Sequence, residues 1–209
     1  MLEIAHVQLN RVSFILHKTN RSWMRDSGPI IVKNGTKNEA LHFNFNGWAK
    51  YKNILLDKQV PNKVSEFLNL PLTQVVYKGK PVIVEGGAIE TNGCGTLITS
   101  EECLLHPSIQ VRNKNFSKED YEAVFKEYLG VTNVIWVGDG IEGDDTHGHI
   151  DDLCRFVNED TIVTIVEDDQ KDANYQPLQE NLKRLQNAKL ENGQTPKIVC
   201  LPMPKRLDF

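Results

Sequence analysis

Ten residues in the second half of the chain bring together side chains that could do chemistry. Residues 143–152 read GDDTHGHIDD, with four aspartates and two histidines. Carboxylates bind cations, and a histidine can donate or accept a proton near neutral pH. The stretch therefore has three interpretations: a metal site, an acid/base cluster for a cationic ligand, or a polar loop without chemistry.

The metal interpretation rests on alternation along an extended segment, which would place His147, His149 and Asp151 on one face. This order approaches the His-x-His-x-Asp-His pattern of metallo-β-lactamases, but Asp152 stands where that pattern ends in histidine. The other histidines lie in unrelated contexts, at positions 6, 17, 42 and 106. A metallohydrolase is therefore the lesser alternative, and we expect no metal and no other cofactor. In the polar-loop interpretation, Asp144 and Asp145 would only cap a turn.

The third interpretation, a metal-free site for a planar cation, gains support from residues elsewhere in the chain. Asp26 lies in WMRD and Glu85 in EGG. Together with Asp145 and Asp151 they are too much negative charge to bury unpaired. A guanidinium group would resolve this, because carboxylates bind it through paired hydrogen bonds. Trp23 could stack on such a cation, or it could simply pack in the core.

The elements that would position these residues follow from the apolar pattern. Apolar runs bounded by turn residues predict strands at 12–16, 29–32, 40–45, 72–77, 81–85, 95–100, 133–137, 152–157, 161–167 and 197–203. Helical spacing predicts helices at 58–69, 118–129 and 174–190. Ser117 and Asp120 form a weaker variant of the capping box before the second helix. Hairpin turns are predicted at Asn-Gly 34–35 and 92–93, and at 158–160.

The order strand, strand, helix, strand then repeats, which predicts an α/β fold. Three ββαβ units follow one another at approximately 29–77, 81–137 and 150–203, and the strand at 12–16 would end a preceding unit. Each unit carries ionisable residues near its start, spaced about 60 residues apart. If the units stack around an axis, Asp26, Glu85, His149 and Asp151 converge in one site.

The composition sets the broad class of protein. The chain has 209 residues, 40% hydrophobic and 25% charged, with a formal net charge of −4. These values are typical of one globular domain and give no indication of nucleic-acid or membrane partners. No apolar run long enough to cross a membrane and no signal peptide are apparent, so we expect a cytoplasmic protein. We expect buried, reduced thiols at Cys94, Cys103, Cys154 and Cys200.

Three stretches carry a family resemblance. TNRSWMRDSGPI (19–30), IVEGGAIETNG (83–93) and GDDTHGHIDDLCRF (143–156), with PMP at 202–204, resemble the agmatine deiminase / bacterial-type peptidylarginine deiminase family. The resemblance implies a pentein fold, a five-bladed α/β propeller of ββαβ units. By this comparison the chain is a single partial pentein domain over 1–209, with about three of the five units.

The resemblance also implies hydrolysis of a guanidinium group without metal. A cysteine thiolate attacks the guanidinium carbon, ammonia leaves, and water cleaves the thiouronium adduct. Asp26 and Asp151 would hold the guanidinium nitrogens, and His149 would act as general acid and then as base. Glu85 would lie in the same site. Asp145 and Trp23 would line the pocket, the former near the far end of the substrate.

The implied substrate is agmatine, converted to N-carbamoylputrescine and ammonia on a route to putrescine and polyamines. A carboxylate such as Asp145 suits the amine of agmatine better than the carboxylate of arginine. Alternatives are an arginine or peptidylarginine deiminase, or a non-catalytic guanidine-binding fragment. The latter interpretation arises because the family's glycine-rich run with His-Cys has no match here, which leaves the nucleophile unknown. An open ring would expose apolar strand edges, so self-association is expected, and the family suggests a homo-oligomer.

Overall fold

Three three-stranded sheets with the same connectivity, and a two-stranded pair of β-strands between the first and second of them in sequence, organise residues 7–204. The structure, a computed structural model, describes residues 7–204. The strands of this part are β1 (Ile30–Asn34), β2 (Lys37–His42), β3 (Leu72–Gln74), β4 (Val76–Tyr77), β5 (Lys80–Pro81), β6 (Glu90–Thr91), β7 (Thr96–Ser100), β8 (Asn133–Val137), β9 (Cys154–Phe156), β10 (Thr161–Val166) and β11 (Lys197–Pro202). The helices are α1 (Met24–Ser27), α2 (Val60–Leu68), α3 (Glu101–Leu105), α4 (Lys118–Leu129) and α5 (Tyr175–Asn187).

Each three-stranded sheet contains a hairpin followed by a helical crossover. In the first sheet β1 runs antiparallel to β2, and β2 runs parallel to β3. The second sheet repeats this arrangement with β6, β7 and β8, and the third with β9, β10 and β11. The crossover helices are α2, α4 and α5, as parallel pairing requires a long connection. The prediction of a mixed α/β architecture is confirmed.

The hairpin turns form where the sequence predicts them. Gly35 and Gly93 have φ values of 63° and 75°, in the left-handed region that tight hairpin turns require and that glycine adopts without steric cost. The third hairpin turns through Asn158, whose side chain accepts hydrogen bonds from the backbone of Asp160 and Thr161. These turns fix the register of each hairpin and therefore which strand faces are buried.

The crossover helices also agree with the predictions. In α4, Ser117 accepts from the Asp120 backbone and Asp120 accepts from the Ser117 backbone, which completes the capping box. Tyr121, Val124 and Phe125 form the buried face of α4, between the first and second sheets. A second apolar cluster fills the space between the second and third sheets beneath α5. No helix among residues 7–204 is long and apolar enough to cross a membrane.

Three predicted strands differ from the structure by more than their end residues. Residues 12–16 form no strand, because the segment has no pairing partner among the described residues, and its Phe14 and Leu16 are 75% and 98% exposed. The run 72–77 breaks at Val75 into β3 and β4. The run 81–85 is not the first strand of the second sheet, because that strand is β6. Within the run, Ile83 makes only an isolated bridge to Asn44. The sequence also gives no warning of the short helices α1 and α3.

Candidate functional site

A short helical turn immediately before the first strand of each sheet positions the candidate site. Asp26 lies in α1, before β1. Glu85 precedes the 3-10 turn Gly86–Ala88, before β6, and His149 precedes the 3-10 turn Ile150–Asp152, before β9. The turn at Gly86–Ala88 contacts both α1 and the turn at Ile150–Asp152. Side chains from three sheets therefore meet at one point.

His149 lies at the centre of this cluster. Its Nδ1 is 3.9 Å from Asp26 Oδ1 and 3.8 Å from Asp151 Oδ1, and its Nε2 is 3.8 Å from Glu85 Oε2. Nε2 is buried and has no hydrogen-bond partner among the described residues. Burial alone would lower the pKa of His149, but the carboxylates of Glu85 and Asp26 reverse this and raise it. The four predicted residues are therefore brought together around a histidine whose pKa is raised.

Gly87 allows the three turns to approach so closely. A Cβ atom at this position would lie 2.4 Å from His149 Nδ1 and 2.8 Å from Asp26 Oδ1. Neither atom could remain in place, because such distances are far below van der Waals contact. The second glycine of EGG is thus required by the packing of His149 against Asp26.

Asp26 is buried and fixed by two hydrogen bonds. Its Oδ1 accepts from the Gly87 backbone N–H at 3.1 Å, and its Oδ2 accepts from Trp48 Nε1 at 3.2 Å. Burial raises the pKa of Asp26, although His149 and these two donors oppose the change. A carboxylate has about four acceptor positions, so each oxygen can still bind one further donor from a ligand.

Glu85 differs from the other carboxylates because the protein itself neutralises it. The fully buried Glu85 accepts from Arg112 Nε at 3.1 and 3.3 Å through its two oxygens. Burial would raise the pKa of Glu85, but Arg112 and His149 more than offset this and lower it. The expectation that four buried carboxylates await a cationic ligand is therefore wrong for Glu85.

The remaining predicted carboxylates are less enclosed. Asp151 forms an ion pair with Arg25, whose Nε lies 3.1 Å from Oδ2, and Asp151 Oδ1 lies 3.8 Å from His149 Nδ1. The Asp145 side chain is 56% exposed and is bound by Lys50 Nζ and, at 2.9 Å, by the Tyr51 hydroxyl. Asp145 and Asp151 each have a cationic partner, so the expectation of unpaired charge is wrong for both. Of the predicted set, Asp26 alone is a buried carboxylate with no lysine or arginine partner among residues 7–204.

An open cavity of about 650 Å³ lies over the cluster. Its walls combine aromatic, charged and other polar residues, namely Arg21, Trp23, Arg25, Asp26, Trp48, Tyr51, Asp144, Asp145, Thr146, His149, Asp151 and Asp152. Trp23 lines this cavity as predicted and is 64% exposed, so it does not pack in the core. The Arg21 guanidinium lies 4.6 Å from the Tyr51 ring centroid and 5.6 Å from that of Trp48, so the protein itself already stacks a flat cation on these rings. The exposed Trp23 remains as an aromatic wall for a ligand.

The two neighbouring aspartates of the opening stretch have different structural roles. Asp144 caps its own loop: it accepts from the Thr146 backbone at 2.8 Å and from the Gly148 backbone at 2.7 Å. Burial would raise the pKa of Asp144, but these donors lower it. Asp145 caps nothing and faces Lys50. The polar-loop interpretation therefore describes Asp144 and does not describe Asp145.

The metal set suggested by alternation does not form. His147 has a φ of 63° and its Nδ1 lies 3.0 Å from Glu102 Oε1, next to the ring of His106. Within residues 7–204, the one set of three potential ligands with atoms less than 4.8 Å apart is Glu85, Cys103 and His149. Arg112 already binds both oxygens of that glutamate. A guanidinium in this position disfavours a second cation, so this set does not fit a metal well.

The cysteines do not contribute a thiol to the cavity. Cys103 and Cys154 are buried as expected. Burial raises the pKa of the Cys103 thiol, and it raises the pKa of Cys154 to about 12. Cys94 and Cys200 are exposed, so the expectation of four buried thiols is wrong for these two. None of the four lines the cavity over His149 in the described part of the chain. The position of a nucleophile stays unassigned.

Sequence reasoning missed the residues that support the predicted set. Arg112, Trp48, Lys50 and Tyr51 hold Glu85, Asp26 and Asp145, yet each lies in a loop with no periodic pattern around it. The signal available beforehand was charge balance: a buried glutamate requires a cation. The resulting arrangement, two carboxylates beside an imidazole under an aromatic cavity, can bind a planar cation and transfer a proton to or from it.

Comparison with known proteins places this geometry in context. Residues 2–208 match the family described as Porphyromonas-type peptidyl-arginine deiminase. The agmatine deiminases of Pseudomonas fluorescens and of Pseudomonas syringae pv. tomato are 34% and 33% identical over 206 residues. Each alignment covers 96% of this chain and 54% of the relative. The chain thus spans about half the length of the curated relatives it matches.

Solved structures agree with this assignment. The agmatine deiminase of Enterococcus faecalis superposes with a TM-score of 0.82 at 30% identity, covering 91% of this chain and 52% of that one. A cysteine-to-serine variant of the C. jejuni agmatine deiminase with substrate bound gives a TM-score of 0.81 at 32% identity. This second superposition covers 100% of this chain and 59% of that one.

Proposed function

Because this chain belongs to the Porphyromonas-type peptidyl-arginine deiminase family, we propose that it binds the guanidinium group of agmatine beside His149 and takes part in its hydrolysis. The products are N-carbamoylputrescine and ammonia. N-carbamoylputrescine would then lead to putrescine and polyamines. The observation that carries the proposal is the pair of carboxylates, Asp26 and Asp151, on either side of His149 Nδ1 under an open aromatic cavity. Relatives with the name agmatine deiminase support this choice of substrate.

Each residue has a role in the proposed reaction. Asp26 and Asp151 hold the guanidinium nitrogens, which keeps the cation charged and its carbon electrophilic. A cysteine thiolate forms a bond to that carbon, and His149 gives its proton to the departing nitrogen, which leaves as ammonia. His149 then takes a proton from water, which attacks the carbon and releases the thiolate. Trp23 lines the pocket, and Glu85 keeps His149 protonated for the first step.

The thiolate is the part of this reaction that the cavity does not contain in residues 7–204. A solved relative carrying a cysteine-to-serine substitution with substrate bound supports a cysteine as the group that turnover requires. We therefore propose that this chain provides the guanidinium clamp and the acid/base histidine. A chain that binds guanidines without turning them over is the second candidate, favoured by the absence of a thiol from the described cavity.

The architecture proposed for this function is a propeller in which each sheet forms one blade. The three ββαβ units at approximately 29–77, 81–137 and 150–203 would form a partial pentein domain, with the site on the axis. The common position of the site residues, just before the first strand of each sheet, supports this proposal. A homo-oligomer and a cytoplasmic location belong to the same proposal.

The direct test measures agmatine binding and ammonia release by the 209-residue chain. Isothermal titration calorimetry with agmatine, and with arginine as the comparison, should give binding that prefers agmatine. Ammonia release that is lost on Asp151→Ala would show that the chain also supplies a nucleophile. Absence of binding to either compound would refute the proposed function, whereas binding without ammonia release would support the second candidate.

Lys50 is expected to reduce the affinity for agmatine. Its ammonium occupies Asp145, the carboxylate proposed to receive the amine of the substrate. Lys50→Met should therefore strengthen agmatine binding a few-fold, since the pair is exposed and contributes modestly. Arginine, which brings a carboxylate to the same position, should bind more weakly to this variant. Lys52→Met, which removes the same charge from a neighbouring lysine, is the matched control in calorimetry, and equal gains in both variants would contradict the assignment.

Agmatine binding should depend on pH through Asp26 and His149. The clamp requires ionised Asp26, whose pKa is raised by burial, so its charge is lost at a higher pH than for an ordinary aspartate. The raised pKa of His149 also makes the imidazole a competing cation on acidification. Affinity should therefore decline steadily as the pH falls from about 8 to about 5. Calorimetry across this range is the measurement, and a flat profile would exclude Asp26 as a ligand.

A further inference from the structure

Arg112 is a fully buried cation that does not reach the candidate ligand cavity. It is 3% exposed and is absent from the cavity walls. Its Nε donates to both oxygens of Glu85, Nη1 donates to the Gln110 carbonyl at 2.9 Å, and Nη2 donates to the Thr146 carbonyl at 2.6 Å. All three nitrogens of the guanidinium are therefore used, each on a different part of the chain.

We propose that Arg112 is a positioning residue for the proposed guanidine chemistry: its rigid fork fixes the Glu85 carboxylate against His149 Nε2 and ties it to the loop that carries His149. The inference rests on the proposed function for its catalytic meaning. The geometry itself does not depend on that function, because Glu85 and His149 belong to different sheets and Arg112 is the residue that bonds to both segments.

The connection to the His149 loop runs through Thr146. The Thr146 carbonyl accepts from Arg112, while its hydroxyl and backbone N–H bond to Asp144. Asp144 also accepts from the Gly148 backbone at 2.7 Å and the His149 backbone at 3.3 Å. Displacement of the Arg112 fork would therefore reach the backbone N–H of His149 through Thr146 and Asp144.

A second connection runs from Arg112 to the other side of the site. Arg112 binds the carbonyl of Gln110, whose side chain donates to the Trp48 carbonyl at 3.0 Å and to the Asp145 carbonyl at 3.1 Å. Trp48 in turn donates to Asp26. Arg112 thus joins Glu85, through Gln110 and Trp48, to Asp26, which is one of the two carboxylates of the clamp.

Lysine could replace the charge of Arg112 but not its geometry. A lysine ammonium is a point charge on a flexible stem, whereas the guanidinium fork presents its donors in fixed directions. In Arg112→Lys the Glu85 carboxylate would follow the ammonium away from His149, and the Thr146 carbonyl would lose its donor. The substitution therefore separates positioning from simple neutralisation.

The test follows His149 by NMR titration in the 209-residue chain and in Arg112→Lys. The ionisable groups that influence or contact His149 are Glu85, Asp26, Asp151, Asp144, Asp152, Cys103 and Arg112. Of these, Arg112→Lys moves Glu85 while conserving the net charge. We expect the titration of His149 to shift to lower pH by roughly half a unit or more, and agmatine affinity to fall about tenfold. His42, in β2, is the internal reference and should titrate unchanged.

Two results would overturn the inference. If His149 titrates as in the unsubstituted chain, Arg112 acts through its charge alone. If His42 shifts together with His149, Arg112 supports the fold as a whole and does not specifically position Glu85. Failure of the unsubstituted chain to bind agmatine would reject the proposed function instead, and the His149 titration would still report on Arg112.

A measurement on the unsubstituted chain keeps the inference testable should Arg112→Lys fold poorly. A guanidinium held at all three nitrogens rotates slowly about its Cζ–N bonds. The Nη protons of Arg112 should therefore give separate NMR signals at 25 °C, unlike those of the exposed Arg155. Averaged signals for Arg112 would contradict the fixed fork.

Discussion

Agmatine affinity is expected to fall roughly 100-fold when Asp26 is replaced by asparagine, because truncating one partner of a buried, hydrogen-bonded charge pair typically costs about 2–5 kcal/mol. Asparagine keeps the size of the side chain but presents one acceptor oxygen in place of two. Gly87 N–H and Trp48 Nε1 compete for that oxygen, so little capacity remains for a guanidinium. Isothermal titration calorimetry near neutral pH is the measurement.

The matched control is Glu142→Gln, which removes the same charge from an exposed position in the loop that leads to His149. This variant should bind agmatine as the unsubstituted chain does, within about a factor of two. A melting curve for each variant shows whether the fold is retained. If Asp26→Asn binds agmatine normally and melts normally, Asp26 is no part of a guanidinium clamp, and the proposed function loses its main support.

The largest expected change in stability follows from Glu85→Gln. This substitution leaves the buried Arg112 without its anion, and breaking a buried pair costs about 3–5 kcal/mol. For a chain of this size the melting temperature should fall by roughly 10 °C. Differential scanning fluorimetry at constant protein concentration is sufficient to detect the change.

Two further variants distinguish the loss of the buried ion pair from the loss of one negative charge. Glu101→Gln breaks contacts with Lys118 and Arg184 whose side chains are about one-third exposed, so it should cost less than about 1 kcal/mol. The double variant Glu85→Gln/Arg112→Met removes both buried charges and should recover part of the lost stability. A double variant less stable than Glu85→Gln alone would mean that Arg112 stabilises the fold independently of Glu85.

Local patterns in the sequence suffice for the repeated elements of the fold. The boundaries of α4 and β8 agree with the predicted ranges, because apolar periodicity and the Ser117 cap are local signals. The same applies to the three hairpin turns. The convergence of Asp26, Glu85, His149 and Asp151 also follows from the repeat, since equivalent positions in similar units meet when the units pack side by side.

The features that the sequence did not predict depend on partners that are distant along the chain. Residues 12–16 have a strand-like pattern, but a strand exists only with a pairing partner, and the described chain provides none. Arg112 reaches Glu85 from a loop 27 residues away, and Lys50 reaches Asp145 across 95 residues. Neither contact has a periodic signature. The carboxylates looked unpaired in the sequence because their partners can be identified only after folding.

The placement of the site residues before the first strands of three different sheets has a kinetic consequence. His149 meets Asp26 and Glu85 only after two long stretches of chain have closed, and such non-local contacts form late and slowly. No early folding intermediate can therefore hold the complete cluster. A ligand bound there stabilises the native state and not the transition state, so it should slow unfolding without accelerating folding.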